Sequence, residues 1–515
     1  MRINLLITGL AAVLGLSAIA ALAAPQTGKT ARAQASVPAQ KAIRNSKAQR
    51  LQVPAQGPIR IQPRVVRRGR KPGSSKAQTP ANNPLAVVVN GQTVSAQLMS
   101  QSASFIPAPG TGIWYNLSIF VPATQQEELF ILGIPNTPAS VDSPLLVGMR
   151  QSDVSHGDII NHTTFWDECL ARGWYLLAPL SRGIAGYDTR GGASINAQLN
   201  TEAALKWVTD HYPIEASRIY GVGFSGGGSL VGSYAARHLD PRDPMFAAIV
   251  YHTGSSDPVD SYNSSTVAGK NDIEALMGGT PTTIGFEYRR IGSVELDLSQ
   301  QWVSGGVHGA LNLGSIPTQV WYASNDGQSG LVQQNDQLFD WMNLNGSGPI
   351  SLVTGVSADP TASFHNWDVL DETQVCDWFD LQTLTPPVHG DLLIDQDARY
   401  HYFDVQQEAT GAFSRLSFTT TLGNNELALT QTNNVQSISL SPTDLGLFTV
   451  SGVVLTLDLE SLDSGDEVVL SDLDSVPLSV ARDGLPSANW TYSASEETLT
   501  ISESETGLHV WTVQF

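Results

Sequence analysis

From residue 144 to 379, short apolar runs alternate with stretches whose apolar positions recur every three or four residues. The runs at 145–149, 174–180, 218–223, 247–252, 318–323 and 350–356 read as strands covered on both faces. The stretches between them read as amphipathic helices. At 161–172, Phe165 with Cys169 and Trp166 with Leu170 are pairs four apart, and Gly173 stops the element. At 195–211, Ile195, Leu199, Ala203 and Trp207 form one stripe. Further helices are expected at 227–238, 331–343 and 367–379. Strands and helices in alternation predict a mainly parallel sheet with helices on both faces. Ahead of it, 85–89, 114–121 and 128–134 read as short strands, with an Asn90-Gly91 turn. The pattern breaks at 255–315, a Gly/Ser/Asn-rich insert with helical fragments expected near 272–277 and 299–303.

After Pro386-Pro387 the period changes to two. Strands are expected at 414–422, 427–431, 453–459, 467–470, 498–501 and 509–515 with no helix between them, so residues 388–515 read as a separate β-sandwich-like domain. The chain thus divides into 1–23, 24–83, a catalytic α/β domain at 84–385 and this C-terminal all-β domain.

Charge changes the picture at both ends. Of 515 residues, 48 are acidic and 28 basic. Thirteen of the basic residues lie between 25 and 83, whereas the first acid is Glu127. A basic, Pro/Ala/Gln-rich arm without apolar periodicity is expected to be disordered. It fits either a contact with an anionic envelope or polymer, or a solvated spacer. The acidic remainder excludes nucleic acid as an expected partner. The β domain holds 19 acids against Arg399, Arg415 and Arg482. Its acid-rich loops lack calcium-loop spacing and read as a solvated surface. Arg2, the apolar stretch 5–22 and Ala21-Leu22-Ala23 have the layout of a cleaved secretory signal, which implies a secreted, periplasmic or cell-surface protein. The two cysteines, Cys169 and Cys376, suggest no zinc site, and neither metal nor cofactor is expected.

The candidate chemistry centres on Gly223-Phe224-Ser225-Gly226-Gly227, at the end of a buried strand and the start of a helix. Gly-x-Ser-x-Gly in that setting is the layout of a nucleophile elbow. Gly223 and Gly227 stand where a Cβ would clash in so tight a turn, and glycine also tolerates positive φ. An acid and a histidine should follow at strand ends. Asp326 lies just past the strand at 318–323, and His365 lies between the strand at 350–356 and the last helix. His365 would be the general base and Asp326 its orienting acid. The Gly226 N–H would be one oxyanion donor, with the second from the loop after 145–149. Asp257 is a rival acid after a strand. His308 could approach from the insert and His156 from the 150–158 loop. His211, His238 and His252 read as helix-end or strand residues.

With these residues in hand, 144–379 resembles the α/β-hydrolase superfamily. The run Ile214 to Gly228, with Ser324-Asn325-Asp326-Gly327 and Phe364-His365-Asn366-Trp367, is similar to secreted polyhydroxybutyrate-depolymerase-like and feruloyl-esterase-like enzymes. The resemblance implies a serine esterase that needs no cofactor and acts on an ester, polymeric or small. Such enzymes usually carry His-Gly at the oxyanion loop. Here Met149-Arg150-Gln151-Ser152 stands there, which makes Gln151 the expected second donor. The resemblance also implies that the first and last helices share one face, so Cys169 and Cys376 could form a disulfide or remain buried thiols. A serine peptidase on the same fold, and a non-catalytic surface-binding protein, stay open as alternatives.

Overall fold

The computed structural model describes the chain from residue 85 onward, apart from 90–91, 97–100, 106–111, 185–189, 346–347, 359–363, 462–464 and 504. The signal-like segment 1–23 and the basic arm 24–83 lie outside the described residues. β1 (Leu85–Val89) and β2 (Gln92–Ala96) form an antiparallel pair. A nine-stranded sheet follows: β3 (Gln101–Phe105), β4 (Gly112–Val121), β5 (Gln126–Pro135), β6 (Ser143–Met149), β7 (Tyr175–Pro179), β8 (Ile214–Phe224), β9 (Ala248–His252), β10 (Thr318–Ala323) and β11 (Ile350–Gly355). Its spatial order is β11-β10-β9-β8-β6-β7-β5-β4-β3. The six strands from β11 to β7 run parallel, and β5, β4 and β3 are antiparallel additions at one edge. This is the strand order of the α/β-hydrolase fold.

The continuous apolar runs are explained by burial on both faces. Every residue of β6, β7, β9 and β10 is buried. On one face pack α3 (Ile195–His211), α4 (Gly226–Arg237) and α8 (Ser329–Leu344), through Trp207, Leu230, Tyr234 and Leu338. On the other pack α2 (Phe165–Arg172) and α9 (Glu372–Asp380), through Phe165, Cys169, Cys376 and Phe379. Along β8, Ile219 belongs to the first core, and Tyr220, Val222 and Phe224 to the second, the two-residue period of a strand. The helix expected at 161–172 is divided into α1 (Asp158–His162) and α2, and α9 begins later than 367, where Asp371 caps it by accepting from the Gln374 N–H.

The insert contains α5 (Pro258–Ser264), α6 (Val267–Met277), α7 (Gly285–Arg289) and a 3-10 turn at Gly309–Ser315. The helical fragment expected near 299–303 is instead a turn closed by an isolated Leu296–Trp302 bridge, with Gln300 at φ 59°.

Residues 389–515 form two sheets of seven and six strands. Their pairing is not purely antiparallel. Glu426–Asn433 lies parallel to Val454–Ser461, and Val435–Leu440 parallel to Glu467–Leu470. Nor is this layer loosely attached: the described residues from 85 to 515 fall in one compact unit. Buried Asn312 donates to the carbonyls of Ala236 and Leu393 and accepts from the Leu393 N–H. Asp395, also buried, takes Arg237 Nε at 2.9 Å, Arg290 Nε at 2.7 Å and the Tyr400 hydroxyl at 2.9 Å. Burial opposes its charge, but the two guanidinium groups hold its pKa below the usual carboxylate value. Phe286 of the insert packs on Phe413, and Arg415 donates to the Gly306 carbonyl. The β layer therefore supports the insert as well as the sheet.

Candidate active site

β8 ends at Phe224 and α4 starts at Gly226, so Ser225 must turn the chain within one residue. It does so at φ 56°, ψ −120°, a conformation that strains a residue with a Cβ. The positive φ belongs to the serine, not to the flanking glycines as the sequence suggested. The glycines answer to crowding. A Cβ on Gly223 would lie 2.1 Å from the Gly227 carbonyl oxygen, and one on Gly227 would lie 2.1 Å from the Met149 oxygen. The Ser225 N–H donates to the His252 carbonyl at 2.9 Å, tying the turn to β9.

The loop after β10 carries Asp326, and the loop between β11 and α9 carries His365. His365 Nδ1 is 3.0 Å from both Asp326 carboxylate oxygens. The acid side chain is 1% exposed and the histidine 17%. Two braces hold the loops: the Gly327 N–H donates to the Phe364 carbonyl at 2.9 Å, and the Ser357 N–H to Asn325 Oδ1 at 2.9 Å. Asp326 also caps the start of its own turn, accepting from the Gln328 N–H at 2.7 Å. The imidazole lies on Phe224, with ring centroids 4.5 Å apart. The residue beside Ser225 thus carries the ring that Asp326 orients. Phe224 also meets His252 edge-on at 4.8 Å and Trp367 at 5.2 Å. His252 is fully buried, and desolvation together with the neighbouring His365 lowers its pKa to about 3.

The structure takes Asp257 away from this histidine. Its Oδ1 accepts from the Val259 and Asp260 N–H groups at the start of α5, and its Oδ2 from the Leu296 N–H at 2.7 Å. Burial raises its pKa to about 6. His308 is a packing residue inside the insert: its Nδ1 accepts from the Glu295 N–H, and its ring lies 4.8 Å from Trp341. His156 bonds Asn116 Oδ1 at 3.3 Å, and burial first, then Arg150 and Arg182, lower its pKa to about 4. His211 and His238 close the ends of α3 and α4 on the carbonyls of Trp207 and Tyr234.

Gln151 is corrected as the second oxyanion donor. Its N–H is turned to Asp158 Oδ2 at 3.2 Å, because a buried carboxylate there competes for it. Ser152 occupies the expected place. A Cβ on Gly226 would lie 3.4 Å from the Ser152 nitrogen, and 2.4 Å from its Oγ. Ser152 and Gly226 line one small cavity with Arg150, Ser181, Gly192 and Leu230. Neither the Gly226 nor the Ser152 N–H has a protein acceptor among the described residues. Nothing in residue type marked this: the hold of Asp158 on the Gln151 N–H is seen only in the structure.

Cys169 and Cys376 lie on the packed helices α2 and α9 and stand as free thiols, without the disulfide. Burial pushes Cys376 up to about 12 and Cys169 well above its ordinary value, so neither is poised as a thiolate. Among the described residues no three His, Cys, Asp or Glu side chains converge as metal ligands would. No described helix is long and apolar enough to cross a membrane.

No protein-family model and no curated relative matches this sequence. Among solved structures, an S-formylglutathione hydrolase from Agrobacterium tumefaciens is similar at 14% identity, covering 55% of this chain and 98% of that one, with a TM-score of 0.39. An acetyl xylan esterase from Paenibacillus sp. R4 is similar at 15% identity, covering 57% of this chain and 90% of that one, with a TM-score of 0.38. A ferulic acid esterase gives 14% identity over 54% of this chain and 97% of its own, with a TM-score of 0.38.

Proposed function

We propose that this chain is a serine hydrolase that cleaves carboxylic esters through an acyl-enzyme. The observation that carries the reading is the Asp326–His365 pair resting on Phe224, the residue next to a serine held at φ 56°. A serine hydroxyl is a weak nucleophile at neutral pH, and His365 accepts its proton as Ser225 Oγ attacks the ester carbonyl carbon. Asp326 fixes the tautomer with the proton on Nδ1, leaving Nε2 free as base, and stabilises the imidazolium that forms. The carbonyl oxygen becomes an oxyanion and accepts from the Gly226 and Ser152 N–H groups. Collapse expels the alcohol, which takes its proton from His365, and leaves the acyl group on Ser225. Water then attacks that ester by the same steps in reverse order and frees the acid.

The signal-like segment 1–23 supports export as part of the proposal. The test is hydrolysis of short-chain p-nitrophenyl esters and emulsified polyhydroxybutyrate beside peptide p-nitroanilides, with fluorophosphonate labelling of wild type and Ser225→Ala. Ester turnover with labelling lost in the variant is expected. Turnover of the anilides alone would make the chain a peptidase. Absence of labelling in wild type would make it a binding protein on this scaffold.

A further inference from the structure

In the reaction proposed above, one oxyanion donor depends on the orientation of a single peptide plane. We infer that Arg150 is a positioning residue for that donor: its buried guanidinium holds the Gln151 carbonyl and thereby turns the Ser152 N–H toward Gly226. A trans peptide carries its C=O and the following N–H on opposite sides. Fixing the Gln151 oxygen therefore fixes the direction of the Ser152 hydrogen.

Arg150 is 5% exposed. Its Nη1 donates to the Gln151 carbonyl at 2.9 Å, and its Nε donates to the Leu180 carbonyl at 2.7 Å. On the other side of the same residue, the Gln151 N–H is held by Asp158 Oδ2, which also accepts from Trp367 Nε1 at 3.2 Å. Residue 151 is thus held at both of its backbone groups. The anchor is itself anchored. Leu180 follows β7, and the next two N–H groups, of Ser181 and Arg182, donate to the carboxylate of Glu128 on β5 at 2.6 and 3.2 Å. A flip of the 151–152 peptide would break the Arg150 bond and point a carbonyl oxygen, instead of a donor, at the developing negative charge. A guanidinium suits this task because its planar fork reaches two acceptors in fixed relation, which a single ammonium does not. In the sequence Arg150 reads only as a charge after a strand. Its role comes from the two carbonyls it spans.

The experiment is steady-state hydrolysis of p-nitrophenyl butyrate by the full chain, wild type against Arg150→Ala and Arg150→Lys, with and without millimolar methylguanidinium. Arg150→Ala is expected to lower kcat about 10²- to 10³-fold, the loss typical of one oxyanion donor. KM should stay within about threefold. Inhibition by a trifluoromethyl ketone, which forms a tetrahedral oxyanion on the serine, should weaken in parallel with kcat. Methylguanidinium should restore at least tenfold to Arg150→Ala and nothing to wild type or Arg150→Lys. Arg150→Lys, which keeps charge and bulk, should fold if Arg150→Ala does not and still show the kcat loss. Wild-type kcat in either variant, or equal loss in kcat and KM with no rescue and no change in ketone affinity, would overturn the inference. Failure of wild type itself to turn over the ester or take a fluorophosphonate label would instead reject the esterase reading.

Discussion

The two sides of the candidate site are built from different materials. On the acid–base side, the proposed chemistry is carried by side chains: Asp326 and His365 meet at 3.0 Å, with Phe224 beneath the ring. On the oxyanion side the side chains carry almost none of it. In the proposed reaction the working groups there are the N–H groups of Gly226 and Ser152, and Arg150, Asp158 and Glu128 act at one remove by holding backbone. A side chain is placed by its rotamer and its partners. A peptide donor is placed by its neighbours' hydrogen bonds, so the oxyanion side should respond to changes in residues that never touch substrate.

Substitutions that separate the two sides test this contrast. The largest effect should come from Ser225→Ala, with ester turnover falling about 10⁶-fold, as removal of a triad nucleophile does. Next, Asp326→Asn should lower kcat about 10⁴-fold by favouring the wrong imidazole tautomer. Asp257→Ala should leave kcat within about threefold and cost about 1 kcal/mol of stability, since Asp257 caps α5. Denaturant titration beside initial rates distinguishes the two acids, and a large kcat loss at 257 would reverse their assignment. On the oxyanion side, Ser152→Pro removes the N–H and should lower kcat about 10²- to 10³-fold, whereas Ser152→Ala and Gln151→Ala should stay within a few-fold. If the Gln151 side chain proved as costly as the proline, the donor would have to be sought elsewhere.

The smallest effect concerns pH. His252 has its folded pKa lowered to about 3, below the ordinary 6.5. Between those values the unfolded chain binds more protons than the folded one, so stability falls as pH falls through that window. Lowering pH from 7.5 to 5 should cost about 2 kcal/mol through this group, at about 1.4 kcal/mol per unit below 6.5. His252→Asn should narrow the difference in unfolding midpoint between the two pH values. An unchanged difference would show that His252 is not held neutral.

The contrast also explains what could be read without a structure. The parallel sheet was legible because β6, β7, β9 and β10 are buried along their whole length and so leave continuous apolar runs. Ser225, Asp326 and His365 were candidates because hydroxyl, carboxylate and imidazole announce their chemistry by residue type. The Ser152 donor was not legible, since any residue has an N–H and only Asp158's hold on Gln151 decides which one is left. The insert's helices were poorly legible because α5 and α6 contain no buried residue to create a stripe. The parallel pairings of the β layer were missed because period-two alternation reports which face is covered, not which strand lies alongside.

The Asn312 and Asp395 contacts have a practical consequence for anyone handling the molecule in pieces. An accessory module on a tether can be cut off or exchanged, leaving an intact enzyme behind. Here a cut after Pro387 would leave Arg237 and Arg290 facing each other without their shared carboxylate, and Asn312 without the strand that satisfies its amide. The β layer is part of the same casting as the nine-stranded sheet, and the smallest piece worth expressing includes both.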